Sequence, residues 1–322
     1  MTPSVSIVIV AHNDWPNLEL AIESALQQSC PDREVIVVDN KSTDDTPGQV
    51  SQRYGDRVRY VRQENRRDSG GYNRGIEETS GEFVQLLDGD DFLAPNKIAK
   101  QLEVFAANPS ADIVYGDARQ FQDTAGTPAW SDWTVKQHAD MLATLIDPRG
   151  EGAGLVIHSP LFRRAVFERV GPWDEAILGA DQDYWLRTAW AGCRFVYSPG
   201  AWCFHRRRPF QMSADPRAMI ARTDQTLQKA LGYIDREPYR SALRSRLAAL
   251  RYGMAVGDLE LSRTEALRRL ESARELDSSR VTPAAYNLAK AVIAVPGARR
   301  LFKSPIIGPI RRSLGRALGV LG

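Results

Sequence analysis

The chain has 322 residues, of which 43% are hydrophobic and 25% are charged, enough to bury the core of one large domain with a smaller addition. These proportions exclude global disorder. No apolar run reaches the roughly 18 residues of a membrane span, and no basic segment of a signal peptide precedes the first apolar run. Three irregularly spaced cysteines predict packing residues in a reducing compartment rather than a disulfide framework or a zinc site.

The positive charge is concentrated at one end of the chain. Residues 281–322 contain seven basic and no acidic residues, so the preceding residues carry a net charge of −5 within the total of +2. An acidic body excludes a broad nucleic-acid footprint. In the tail, Ile310, Leu314, Leu318 and Leu321 share one helical face, which predicts either peripheral contact with an anionic membrane surface or packing, including homo-oligomerisation.

The first third of the chain alternates between strand and helix patterns. Apolar, β-branched runs at residues 5–10 and 34–38 predict strands covered on both faces, with an amphipathic helix between them that Asn13 or Asp14 is placed to cap. Further strands are predicted at 57–61, 82–87 and 112–115, and further helices near 70–79 and 95–107. This alternation predicts a doubly wound α/β sheet, whose ligands bind beyond the carboxyl ends of the strands.

Polar residues follow the first two predicted strands. Ala11, His12 and Asn13 follow the first strand, and Asp39 and Asn40 follow the second. Such side chains can contact a nucleobase or ribose, and they can equally serve as turn formers and helix caps. Neither strand is followed by a glycine-rich dinucleotide or phosphate loop, which argues against those sites.

Three carboxylates follow the fourth predicted strand. Asp88, Asp90 and Asp91 surround Gly89 in a loop that we expect to face solvent. Clustered carboxylates repel one another unless they share a cation, and oxygen ligands with open positions suit Mg²⁺ or Mn²⁺. A solvated turn without a metal is the alternative interpretation.

A second acidic pair opens a run with helical apolar spacing. Asp181 and Asp183 either stabilise the N-terminus of this helix or supply a general base at its first turn.

These segments together resemble the ordered landmarks of family 2 glycosyltransferases. The matching segments are residues 5–13, 37–44, 73–76, 87–91, 170–175 and 181–187. The resemblance covers about residues 4–213 and implies the GT-A fold. It also implies transfer of a sugar, with inversion, from a UDP-, dTDP- or GDP-linked donor to an acceptor hydroxyl. The implied setting is the synthesis of bacterial-type cell-surface polysaccharide or glycoconjugate.

The same resemblance assigns roles to individual residues. Nucleotide-sugar contacts fall on Ala11, His12, Asn13, Asp39, Asn40, Asn73, Asp88, Gly89, Asp90 and Arg206. A Mn²⁺ or Mg²⁺ ion falls on Asp90, Asp88 and Asp91. His205 lies in a basic segment that resembles the loop closing over the donor, where it is expected to be a further metal ligand or a phosphate contact, with a polar surface residue as the alternative. Asp181 matches the acid that takes the proton of the acceptor hydroxyl. Ala180, Tyr72 and Asn40 stand where the family commonly has Glu, Arg and Asp.

The expected organisation is a mixed sheet of Rossmann-like type with a helical C-terminal extension. Residues 1–215 are expected to form the glycosyltransferase domain, of which 1–117 binds the donor and 118–215 binds a glycan or lipid-linked glycan acceptor. Residues 216–322 form the helical extension with its basic tail. We expect a cytoplasmic enzyme, or one peripheral at the inner face of the membrane.

Two other functions fit parts of the pattern. A nucleotidyltransferase shares this kind of sheet but needs a basic, glycine-rich loop after the first strand, and residues 11–17 have neither feature. A catalytically impaired protein that binds glycans or nucleotides is suggested by Ala180 and Tyr72.

Overall fold

The computed structural model describes residues 4–30, 32–122, 129–133, 135–147, 155–177, 180–208, 215–258 and 260–295. The chain divides into two compact units, Met1–Ala218 and Met219–Gly322. The basic tail, for which we predict membrane or subunit contact, lies outside the described residues. Within the described part, no helix is both long enough and apolar enough to cross a bilayer. The division of the first unit into donor and acceptor halves remains a prediction.

The first unit contains two sheets and the helices that cover them. Its strands are β1 (Val5–Ala11), β2 (Arg33–Asp39), β3 (Arg59–Arg62), β4 (Phe83–Asp88), β5 (Phe92–Leu93), β6 (Ile113–Tyr115), β7 (Ala118–Gln122), β8 (Ala129–Trp133), β9 (Leu161–Arg163), β10 (Phe195–Tyr197) and β11 (Cys203–Arg207). Its helices are α1 (Asn17–Leu26), α2 (Thr46–Tyr54), α3 (Arg67–Glu77), α4 (Lys97–Ala107), α5 (Met141–Ile146), α6 (Ala165–Val170) and α7 (Asp181–Trp190).

The main sheet is mixed, in the order β10-β6-β9-β4-β1-β2-β3. β1 pairs in parallel with β2 and β4, whereas β9 is antiparallel to both of its neighbours. Every residue of β1 is buried, as the unbroken apolar run predicts for a strand covered on both faces. The predicted α/β sheet is therefore confirmed, with strand bounds close to those expected.

The register of β1 brings the polar strand ends to one edge. Ala11 lies opposite Asp39 of β2, and Val10 lies opposite Asp88 of β4. Just beyond the strands, the N–H of Gly89 donates to the carbonyl of Val10 at 2.9 Å. The loops after β1, β2 and β4 thus start side by side.

The second sheet was not predicted, and it returns the chain to this edge. Its order is β5-β11-β7-β8, and Phe204 of β11 lies antiparallel to Phe92 of β5. Because β5 begins directly after Asp91, this pairing brings His205 and Arg206 beside the acidic loop. Aromatic stacking between Phe92 and Phe204, with ring centroids 4.4 Å apart, holds the two strands together.

A buried lysine organises the region behind the acidic loop. Lys97 is fully buried, and its ammonium donates to Oε1 of Gln85 at 2.6 Å and of Gln101 at 2.7 Å. The amides of these glutamines donate in turn to the backbone carbonyls of His158 at 3.0 Å and Ser159 at 2.9 Å. Burial lowers the pKa of Lys97 to about 7. The network therefore fixes the turn before β9 in the interior of the unit.

The second unit is helical in its described part, as predicted. It contains most of α8 (Pro216–Ala230), followed by α9 (Tyr239–Gly257), α10 (Arg263–Leu276) and α11 (Pro283–Ala294). The side chains of Ser262 and Thr282 cap α10 and α11 by accepting from backbone N–H groups three residues later. Small and branched apolar residues, among them Ala248, Leu270 and Ala285, form the core between α9, α10 and α11.

Helix α3 approaches β1 closely because its contact face consists of glycines. A Cβ atom at Gly75 would overlap the side chain of Val8, and one at Gly71 would overlap Val10. Gly253 in α9 is a helical glycine in the opposite situation, since a Cβ there would meet no atom within 4 Å. The two glycines offer a matched test of close packing.

We expect Gly75→Ala to lower the free energy of unfolding by about 1–3 kcal/mol through overpacking against β1. Gly253→Ala should raise it by about 0.5–1 kcal/mol, because alanine is the better helix former where space is open. Urea denaturation followed by circular dichroism measures both changes. A Gly75→Ala protein as stable as wild type would contradict the packing described here.

Candidate functional site

The candidate site lies at the edge where the loops after β1, β2 and β4 meet the end of β11. The first of these loops carries His12 and Asn13, both exposed. Nδ1 of His12 lies 2.8 Å from the carbonyl of Asn40, so the loops after β1 and β2 are joined. These exposed side chains are placed where a nucleotide is predicted to bind.

Asn13 has a different local role from the one its position suggested. It does not cap α1, whose N-cap is Pro16 without any side-chain hydrogen bond, so the capping prediction is wrong. Asn13 instead has a left-handed backbone with φ of 55°, and its Oδ1 accepts from the N–H of Thr43 at 2.7 Å. Asp14 likewise turns back, and accepts from the N–H of His12 at 3.0 Å. Both side chains shape the loop rather than the helix.

Asp39 ends β2, and Asn40 begins the loop that follows it. Both are buried. One carboxylate oxygen of Asp39 accepts from the N–H and the hydroxyl of Ser42 at 2.8 and 2.5 Å, and the other accepts from the hydroxyl of Tyr60 at 2.5 Å. The amide of Asn40 donates to the carbonyl of Arg67 at 2.9 Å. These contacts hold the loop, and the predicted contacts with the nucleotide stay predictions.

Asn73 joins two of the sequence landmarks. Its Oδ1 accepts from the N–H of Trp173 at 2.7 Å, and its Nδ2 donates to the carbonyl of Trp173 at 3.0 Å and to Glu175 at 2.9 Å. Arg66 clamps the same glutamate with two hydrogen bonds of 2.9 and 2.5 Å. In this structure Asn73 positions the segment that leads to α7. Its predicted contact with the nucleotide sugar stays a prediction.

Asp88 ends β4 in a strongly acidic environment. Its carboxylate accepts a hydrogen bond from the hydroxyl of Tyr72. Burial, and then the charges of nearby carboxylates, of which Asp91 acts most strongly, raise the pKa of Asp88 well above its usual range. Burial and Asp88 also raise the pKa of Tyr72, which keeps this hydroxyl protonated as a donor.

Asp90 and Asp14 both lie near Arg208, the residue that follows β11. Nη2 of Arg208 lies 2.5 Å from Oδ2 of Asp90 and 3.5 Å from Oδ1 of Asp14. Burial raises the pKa of Asp14 to about 6, and the charge of Asp90 adds to this shift. A Cβ at Gly89 would lie 3.0 Å from Oδ2 of Asp14, so glycine allows this close approach. The cluster already attracts a positive group at the place where a cation is predicted.

Asp91 corrects the expectation that the acidic loop faces solvent. It is only 1% exposed, because β11 covers it. One carboxylate oxygen accepts from the N–H of Arg206 at 2.7 Å, and the other lies 3.1 Å from Nδ1 of His205 and 3.2 Å from Nδ1 of His158. Burial raises the pKa of Asp91 to about 6, although the hydrogen bond with His205 opposes the shift. Arg206 also donates from Nε to the carbonyl of Asp90 at 3.0 Å.

His158 is the site residue that the sequence did not reveal. Asp91, His158 and His205 each offer one metal-ligand atom, and these atoms lie within 4.8 Å of one another. His158 is fully buried, and burial lowers its pKa well below the usual range, so the ring is neutral. It stands in the turn before a short strand, where neither periodicity nor a metal-binding spacing marks it. Only the long-range packing reveals its position.

The two acids of α7 are placed differently. Asp181 is exposed at the first residue of the helix, whereas Asp183 is fully buried and accepts from Nε of Arg187 at 2.9 Å. The charge of Asp181 contributes to the raised pKa of Tyr72, so Asp181 acts on the edge that carries Asp88. Of the two, Asp181 is the acid that an incoming hydroxyl can reach.

Together these residues form an acidic edge bordered by arginines and an imidazole. Such an edge can hold a divalent cation through carboxylate oxygens and one or more imidazoles, and the arginines can bind phosphate oxygens. The described loops after β1 and β2 contain no glycine, so neither is a glycine-rich dinucleotide loop.

Comparison with known proteins identifies the family. Residues 6–171, more than half of the chain, match the model of glycosyl transferase family 2. A glycosyltransferase of Rickettsia typhi is 29% identical over 192 residues, which are 58% of each protein. The chondroitin synthase of Escherichia coli is 36% identical over 115 residues, 35% of this chain and 17% of that enzyme. The chain thus spans from about a sixth to somewhat over half of these relatives.

Solved structures share the fold. TarS from S. aureus, residues 1–349 with UDP-GlcNAc, matches with a TM-score of 0.64 and 17% identity over 96% of this chain and 92% of TarS. The mannosyltransferase PcManGT from Pyrobaculum calidifontis with GDP-Man and Mn²⁺ matches with a TM-score of 0.59 and 19% identity over 98% and 88%. At these identities the matches concern the fold alone, and they confirm the GT-A fold expected from the motifs. Since the family model matches more than half of the chain, the chain belongs to glycosyl transferase family 2.

Proposed function

We propose that this protein transfers a sugar from a nucleotide diphosphate sugar to an acceptor hydroxyl, with inversion and with the help of a divalent metal. The proposal depends on one observation: acidic and basic side chains meet at the edge where the loops after β1 and β2 begin. They are Asp88, Asp90, His205, Arg206 and, just after β11, Arg208. The relatives support it, since TarS was solved with UDP-GlcNAc and the mannosyltransferase with GDP-Man and Mn²⁺.

The residues at the edge fit a divalent cation. Burial, together with the charges of neighbouring carboxylates, raises the pKa values of Asp88 and Asp14, and a cation bound beside them would favour their ionised forms. The ligands would be Asp90 and Asp88 with His205, supported by Asp91, and a set of oxygens with imidazole suits Mn²⁺ as well as Mg²⁺. When bound, the ion would neutralise charge on the diphosphate of the leaving nucleotide.

The protein's own groups supply the remaining chemistry. Arg208, which now pairs with Asp90 and Asp14, is placed to exchange these partners for phosphate oxygens of the donor. Arg206 is held against Phe121, with the guanidinium carbon 4.6 Å from the ring centroid, and keeps the acidic loop in place from the same side. Both contributions are electrostatic.

Asp181 would accept the proton of the acceptor hydroxyl. Its exposure at the start of α7 leaves it open to an acceptor, and attack on the anomeric carbon opposite the departing diphosphate inverts that centre. General-base assistance of this kind contributes on the order of 100- to 10,000-fold. Asp183, paired with Arg187, instead stabilises the first turn of the helix.

The acceptor is proposed to be a glycan or a lipid-linked glycan in cell-surface polysaccharide or glycoconjugate synthesis. The similarity to a chondroitin synthase supports a polysaccharide product. The competing function is a binding protein without turnover, because Tyr72 and Ala180 replace residues common in the family.

A panel of UDP-, dTDP- and GDP-sugars with Mn²⁺ tests the function directly. A donor at 100 times its dissociation constant should stabilise the protein by about 2.7 kcal/mol, visible as a raised melting temperature. The same donor should be slowly hydrolysed. Stabilisation by a nucleotide sugar that is never consumed would favour the binding protein, and a panel without any stabilisation would contradict the proposal.

Asp90→Asn should abolish Mn²⁺-dependent affinity for the nucleotide diphosphate, because it removes the carboxylate best placed to hold the ion. Isothermal titration calorimetry with and without Mn²⁺ measures the effect. Asp56→Asn, at an exposed acid outside the site, is the matched control and should leave the affinity unchanged. Equal Mn²⁺ dependence in the Asp90 variant and wild type would remove Asp90 from the ligand set.

Asp181→Asn should lower the release of nucleoside diphosphate on the order of 100-fold or more while donor affinity stays at the wild-type level. Asp183→Asn breaks the buried contact with Arg187, so its main effect should be a lower melting temperature. Steady-state rates, donor affinity and thermal unfolding separate the two variants. If Asp183→Asn alone lost turnover with unchanged stability and donor binding, the base would be Asp183.

A further inference from the structure

We propose that His158 is a positioning residue: it confines the Asp91 carboxylate from the buried side, and Asp91 fixes the ring of His205 so that its Nε2 faces the divalent cation. This inference rests on the proposed function, because it concerns the same cation. It also assigns different roles to Asp91, His158 and His205: of these three residues, only His205 binds the metal.

His205 has the arrangement expected of a metal ligand. Its Nδ1 is engaged by Asp91 at 3.1 Å, and its Nε2 has no protein partner in the described part of the chain. A histidine that binds a metal through one ring nitrogen usually donates from the other to a carboxylate, which sets its tautomer and orientation. Its side chain is 26% exposed, against 1% for Asp91 and 0% for His158, so His205 is the member that an ion at the edge can reach.

His158 contacts both of the other members from the buried side. Its Nδ1 lies 3.2 Å from the carboxylate oxygen that His205 also contacts, without forming a hydrogen bond. Its ring stacks on that of His205, with centroids 5.8 Å apart and an interplanar angle of 26°. His158 therefore limits the movement of both Asp91 and His205.

The surroundings of His158 suit a residue that positions its neighbours better than a residue that binds a cation. Its backbone carbonyl accepts from Gln85, and the carbonyl of Ser159 accepts from Gln101, both glutamines being held by the Lys97 ammonium. Burial, and then the charges of His205 and Lys97, lower the pKa of the His158 ring. A cation bound to this imidazole would be repelled by the protonated form of Lys97.

The test uses Mn²⁺ alone and the full chain. Electron paramagnetic resonance gives the Mn²⁺ dissociation constant, and electron spin echo modulation counts the imidazoles bound to the ion. In wild type we expect one imidazole, which disappears in His205→Gln. Two imidazoles in wild type, one of which disappears in His158→Phe, would make His158 a ligand and overturn the inference.

Two substitutions at His158 then distinguish loss of the Nδ1 contact from a change in side-chain volume. His158→Phe keeps a ring but removes Nδ1, and we expect Mn²⁺ affinity to fall 10- to 100-fold, as is typical for loss of a group that orients a metal ligand. His158→Asn places an amide nitrogen close to the position of Nδ1, and it should bind Mn²⁺ within threefold of wild type. Phe162→Leu, at a fully buried residue of β9, is the control for lost stability and should keep wild-type affinity.

The remaining outcomes are decisive. Wild-type affinity in His158→Phe, or equal losses in the phenylalanine and asparagine variants, would overturn the positioning role and leave the proposed function intact. Wild-type protein that binds no Mn²⁺, or binds it without any imidazole, would instead contradict the proposed metal site and with it this inference.

Discussion

The carboxylate of Asp91 is the contact on which the site depends. It joins the acidic loop after β4 to the backbone of Arg206 in β11 and to the imidazoles of His205 and His158. A carboxylate removed from water is costly unless its oxygens are paired, so the burial of Asp91 requires all three segments to be in place. The second sheet is thereby tied to the first at the point where the chemistry is proposed.

The parallel register explains why the acids converge. Since β1 pairs with β2 and β4, their carboxyl ends meet at one edge, and glycine at positions 71, 75 and 89 allows the close approach of helix and loops. The resulting repulsion cannot be relieved by moving the side chains apart, because the strands fix their origins. Positive groups must be supplied, and Arg208 supplies one of them at Asp90.

Local patterns in the sequence were sufficient for the main sheet and for the acidic loop. Strand runs, helix spacing and the Asp88 to Asp91 cluster are each contained in a few consecutive residues. The β5–β11 pairing and the contacts of His158 with Asp91 and His205 join residues more than 40 positions apart, which no periodicity records. The glutamines that hold the buried Lys97 are near it in the chain, but they bind the turn at His158 and Ser159 more than 50 positions away. The sequence also predicted the positions of Asn13, Asp39 and Asn73. In the structure their side chains form hydrogen bonds within and between loops. A motif alone does not distinguish a residue that contacts the ligand from one that shapes the loop.

Proton and cation binding are linked at this edge. Burial raises the pKa values of Asp14 and Asp91 to about 6 and that of Asp88 well above its usual range, so these groups ionise in the folded state at a higher pH than in the unfolded chain. The stability of the fold therefore falls as the pH rises from about 4, where aspartates ionise in the unfolded chain, through the folded-state pKa values, because burial disfavours the charged form. A divalent cation at Asp90 would offset this cost and would compete with protons for the neighbouring carboxylates. The same buried charges that weaken the fold would thus favour the binding of a cation where the diphosphate is proposed to bind.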